Sequence, residues 1–144
     1  MSDLTAESYV WEHWKFNADQ RLKAFNLYVM FAIFGNGMVF TAIDKHVSPI
    51  VLVFLGGFEC LLALVFAIID RRSRKLLHLA KQGLKLYEQK LPPDCRPFML
   101  DDVQREHWAR YTVAFNLLFA LQFLFGVLMS GFGLALMMGW VHGV

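Results

Sequence analysis

Glu59 is the residue whose type and position most invite chemistry. It is the only Asp, Glu, Lys or Arg between positions 46 and 69. A carboxyl group in the middle of an apolar run is expensive in a bilayer. Such groups face protein or water and mark functional sites. Two amides belong with it. Glu59 stands 11 residues from Asp70, Asn36 stands 10 from Asn26, and Gln122 stands 12 from Arg110. At about 1.5 Å per helical residue, each lies roughly 15–18 Å from the near end of its own apolar run. Three apolar runs therefore each offer one polar residue to the same layer. No Lys or Arg lies in these runs, so Glu59 must be protonated, hydrogen-bonded by amides, hydrated or cation-bound. In a symmetric homo-oligomer, Glu59, Asn36 and Gln122 would line or gate a path that favours cations. As packing residues they would hydrogen-bond between helices and fix their positions. The two roles can coexist.

The remaining chemistry is sparser. Arg71, Arg72, Arg74 and Lys75 form a basic cluster directly after the second run, suited to anionic lipid head groups. Arg72 and His78 have the spacing used by helical ribonucleases of the HEPN type, and His13 and His107 could meet to hold a metal. HExxH, GxSxG, P-loop and Rossmann glycine patterns are absent from the sequence. The expectation is a protein that is not an enzyme, with no catalytic residue, metal site, cofactor or nucleic-acid partner. Cys60 falls inside an apolar run and Cys95 in a charged segment. Both are expected to stay reduced.

The elements that position Glu59 follow from how charge is distributed. Of the 144 residues, 57% are hydrophobic and 18% charged. Residues 24–43 and 111–144 contain no Asp, Glu, Lys or Arg. Runs of about 20 such residues cross a bilayer core as helices, which excludes a soluble domain, a secreted disulfide scaffold and a disordered chain. The spacing predicts an all-α integral membrane protein with transmembrane helices over 26–43, 49–69 and 111–141. The last is read as one long helix rather than one broken at Ser130-Gly131, because membrane helices tolerate Gly and Ser. Ser48-Pro49 suits a helix start. Lys and Arg number three before the first span, one between the first two spans, and ten over 70–110. By the positive-inside rule the N-terminus and 70–110 are cytoplasmic and the C-terminus is outside.

The polar segments also read as helices. Residues 1–25 carry Trp11, Trp14, Ala18, Leu22 and Phe25 along one side. Over 70–110, Leu77, Ala80, Leu84, Tyr87 and Leu91 are spaced as a heptad seam. This seam is an assembly surface or an internal contact. Pro92-Pro93 ends that helix, Pro97 keeps the next residues irregular, and Asp101 with Gln104 marks a new capped start. Gly56 with Cys60, Gly126 with Ser130, and Gly139 with Gly143 are small-xxx-small pairs for close helix contact. Gly35-Asn36-Gly37 is a weak point where the first span could kink. Glu12-His13-Trp14 is echoed by Glu106-His107-Trp108.

Trp14, Gln20-Arg21 and Phe25-Asn26 precede a membrane hairpin that ends in Ile69-Asp70-Arg71-Arg72-Ser73-Arg74-Lys75-Leu76. Over about residues 11–91 this pattern resembles small prokaryotic membrane proteins found with defence systems, including the SLATT group of pore-forming effectors. The third span departs from that group's two-span plan. The resemblance implies a homo-oligomeric effector in a bacterial inner membrane that perturbs the bilayer of an infected cell. The alternative is an anchor that recruits a cytoplasmic protein partner through 70–110.

Overall fold

The structure is a computed structural model. It describes residues 3–90, 92–103 and 111–140. The described residues form helices and turns without a strand: α1 (Asp3–Asp44), α2 (Pro49–Glu88), a 3-10 turn (Pro93–Cys95), α3 (Pro97–Val103) and α4 (Tyr111–Met137). Three helices are long and apolar enough to cross a membrane, over Glu7–Asp44, Pro49–Glu88 and Thr112–Met137. Leu91, Gln104, the Glu106-His107-Trp108 echo, Arg110 and Gly143 lie outside the described residues.

The chain divides into two units. One is Phe25–Ile68 with Ala114–Val144, and the other is Met1–Ala24 with Ile69–Val113. In the first unit α1, α2 and α4 supply the apolar helices. α1 runs unbroken through Gly35-Asn36-Gly37, and α4 runs unbroken through Ser130-Gly131. α1 ends at Asp44 and is followed by His46, whose φ of 48° is left-handed. Val47 N donates to Ala42 O at 3.0 Å and His46 N to Ile43 O at 3.1 Å, the paired bonds that close a helix C-terminus. The chain then restarts at Pro49, a residue pre-set for a first helical position.

α2 and α4 touch at backbone distance. A Cβ on Gly56 would lie 2.5 Å from Ser130 N and 2.6 Å from Gly126 O. One on Gly126 would lie 2.7 Å from Cys60 Sγ, and one on Gly133 would lie 2.9 Å from Pro49 O. Ser130 Oγ donates to Val53 O at 2.9 Å across the same contact. The small pairs at 56/60 and 126/130 therefore meet each other within one chain. α1 packs on this pair through Val39 and Ala42 against Leu52, with Phe125 and Phe132 alongside. Phe25 stacks on Phe115 at 3.8 Å, and Tyr28 meets Phe119 edge-on at 4.7 Å. The outward residues are large and apolar, among them Phe34, Phe54 and Leu61. A bilayer is the solvent in which such a surface costs nothing.

In the second unit the first part of α1 packs against the last part of α2. Val10 lies over Gly83, and Ala80 and Leu84 are buried. The heptad seam is thus occupied within the chain at Ala80 and Leu84. Pro97 differs from its expected role: it opens α3 instead of holding the chain irregular. The reason is Glu88, which is buried and accepts Phe98 N at 2.9 Å and Met99 N at 3.0 Å. A carboxylate from the preceding helix caps the donors that a local side chain usually caps. Asp101 then falls inside α3, not at its start. Phe98 also meets Trp14 edge-on at 5.3 Å.

Gly56→Ala is expected to lower stability by about 1–3 kcal/mol, the usual cost of forcing a methyl into a filled contact. Gly57→Ala, with open space around it, is expected to leave stability unchanged. Thermal unfolding of both variants in one detergent checks the contrast.

Candidate intramembrane polar site

The backbone contact between α2 and α4 fixes the heights of Glu59 and Gln122. Gln122 Nε2 donates to Glu59 Oε2 at 2.6 Å. The same nitrogen donates to Asn36 Oδ1 at 2.8 Å, and Asn36 Nδ2 returns a longer bond to Gln122 Oε1 at 3.3 Å. One amide therefore joins side chains from all three apolar helices. Glu59 is 0% exposed and Gln122 8%.

The other carboxyl oxygen, Glu59 Oε1, is buried and has no hydrogen-bond partner among the described residues. It sits in the notch over Gly35. A Cβ there would overlap this oxygen and lie 2.7 Å from the carboxyl carbon. Gly35 is thus a socket for the carboxyl group, and its role was not evident from the sequence. Its place beside Asn36 was the available signal. Tyr28 was also missed; it is buried and donates from its hydroxyl to Leu118 O at 3.3 Å.

A groove of about 330 Å³ runs between α1 and α4. Its walls include Tyr28, Ile33, Leu118 and Phe125, together with the amides Asn36 and Gln122. The groove reaches the amides, and the amides reach Glu59. Glu59 itself is enclosed by a single chain. Covering Glu59 therefore does not require other copies of the chain.

The basic cluster is divided in the second unit. Arg71, Arg72 and Lys75 are exposed, whereas Arg74 Nε lies 3.0 Å from Asp70 Oδ2. Asp70 is 5% exposed and also receives Arg21 Nε at 2.7 Å. Sequence reasoning counted Arg21 and Arg74 only as positive charges; opposite charges at two helix positions near the span ends were the overlooked signal. Arg72 and His78 are both exposed, and His78 Nε2 lies beside Gln82 Nε2 at 3.1 Å. His13 Nε2 lies 3.2 Å from Asn17 Nδ2; its proposed partner His107 is outside the described residues. No protein-family model, curated protein or solved structure matches this chain.

Gly35→Ala is expected to destabilise the protein by about 1–3 kcal/mol. In a Glu59→Ala background the same change is expected to cost far less, since the socket is empty. A double-mutant cycle on unfolding in detergent measures this coupling.

Proposed function

We propose that the chain assembles in a bacterial inner membrane and opens a path through it, with Glu59, Gln122 and Asn36 as the latch that holds the spans closed. The observation that carries this reading is the fully buried carboxyl group with one oxygen lacking a partner. A junction built only for packing needs the two amides. The added carboxyl group makes the junction sensitive to a proton or cation at that oxygen. Because one chain encloses Glu59, the residue acts as a gate element behind the wall of the path, with Asn36 and Gln122 nearer its surface. The reading needs no cofactor and no catalytic step.

The charge asymmetry supports a cytoplasmic N-terminus and 70–110 segment. There the helices would receive a trigger while Arg71, at the end of the second span, rests on lipid head groups. The resemblance to defence-associated effectors supports an antiviral role, with the path opened in an infected cell.

Glu59→Gln keeps the shape and removes the titratable group. In liposomes it is expected to change ion flux by tenfold or more, where each factor of ten corresponds to about 1.4 kcal/mol in the closed–open balance. Native mass in a bilayer mimic should be unchanged. An assembled Gln variant with wild-type flux would reject the latch.

A second reading is an anchor that recruits a cytoplasmic protein through 70–110. It is favoured by Leu79 and Leu86, which are 63% and 64% exposed outside the uncharged runs. It predicts that substitutions at Lys81 or Lys85 abolish function without changing flux.

A further inference from the structure

Two exposed stripes in the unit Met1–Ala24 with Ile69–Val113 complement each other. On α1, Tyr9, Glu12, Phe16 and Asp19 follow a three–four–three spacing. Such spacing places them on one face. Tyr9 and Phe16 are 70% and 61% exposed, and Glu12 and Asp19 are exposed with them. On α2, Arg72, Lys75, Leu79, Gln82 and Leu86 follow the same spacing, and all are exposed. The buried Asn17 on α1 and Ala80 and Leu84 on α2 lie well round each helix from its stripe, while Gly83, which faces Val10, borders the α2 stripe. One stripe is apolar and acidic. The other is apolar and basic.

We infer that the α1 stripe of one copy docks on the α2 stripe of the next, a head-to-tail contact that closes copies of this chain into a ring. The inference rests on the oligomeric part of the reading above. The register supports it. Arg21 meets Asp70 and Val10 meets Gly83 within the chain, so α1 and α2 positions whose numbers add to about 92 stand at one level. Copies related by rotation about the membrane normal share that level. Asp19 then faces the turn that carries Arg72 and Lys75. Phe16 enters between Lys75 and Leu79, and Tyr9 between Gln82 and Leu86. Asp19 already lies 2.7 Å from Lys23 on its own helix. That pair is exposed, and exposed pairs are worth little, so it yields readily to two cations on a neighbour. Two copies of one stripe would set like charges together. The contact is therefore between unlike faces: arranged head to tail it closes a ring, and a cross-linked ladder that stops at the dimer would show the reciprocal two-fold arrangement and overturn the ring.

The test uses the full chain in a bilayer mimic, with both native cysteines removed by Cys60→Ala and Cys95→Ser. Asp19→Cys with Arg72→Cys is expected to give an oxidative ladder reaching beyond the dimer, while each single variant gives none. Asp19→Lys is expected to weaken association roughly tenfold or more, and adding Arg72→Glu and Lys75→Glu is expected to restore it. Dimers from a single-cysteine variant would overturn the inference, because they require like faces to meet. An oligomeric mass with ion flux but no ladder would overturn this contact and leave the pore reading intact. A ladder without flux would do the reverse. Charge reversal at Arg72 and Lys75 that lowers only binding to anionic vesicles would assign the stripe to lipid and reject the contact.

Discussion

The hydrogen bond from Gln122 to Glu59 is the constraint on which the apolar unit depends. A carboxyl group must be accommodated among three apolar helices, where water cannot solvate it. Gln122 Nε2 has two protons, and both are used, one on Glu59 and one on Asn36. Without this amide, the buried Glu59 loses its partner, at about 1–3 kcal/mol, and the half-buried Asn36 loses its link to another helix. The glycines follow from the same requirement. Gly56 and Gly126 let α4 approach α2 until a side chain as short as Gln reaches the carboxyl group. Gly35 lets α1 approach from the other side without striking it.

This arrangement consumes the surface that membrane helices commonly use for association. Small-xxx-small faces are the usual contacts between separate membrane helices. Here the faces at 56/60 and 126/130 are pressed together within one chain. The inner heptad seam is likewise used at Ala80 and Leu84. The assembly proposed above therefore has to use other residues. Large lipid-facing side chains such as Phe54 supply shape but no polarity to set a register. The alternating apolar and charged stripes on the early part of α1 and the late part of α2 supply both.

Much of this was legible in the sequence, for identifiable reasons. Depth along a helix is a count multiplied by a fixed rise, so Asn36, Glu59 and Gln122 could be assigned to one layer before any helix was placed. Direction around the helix axis was harder. A run such as 46–69 is apolar on every side, and its pattern does not say which face meets a neighbour. The role of Gly35 depends on that direction, and it read as a weak point instead of a socket. Pro97 illustrates a different limit. A proline both breaks and begins helices, and the choice here is made by Glu88, ten residues away from Phe98 in sequence and delivered by folding. The heptad seam had two valid uses, and only packing distinguished them.

The unpartnered oxygen of Glu59 bears on why this position is not a third amide. Over Gly35 the carboxyl group faces the backbone of a continuous α-helix, whose N–H groups are already committed to carbonyls four residues back. No backbone donor there is free, and the space that Gly35 leaves is filled by the carboxyl group itself. A glutamine would fill the same volume, accept the same bond from Gln122 through its carbonyl, and turn an N–H toward helix carbonyls that have a spare lone pair. A protonated carboxyl group would do the same through its O–H, so for packing alone the two side chains are close equivalents. Buried polar groups without partners are uncommon and call for an explanation. What a carboxyl group adds at this point is the capacity to lose that proton. That property separates a switch from a rivet, and it depends on a single oxygen atom.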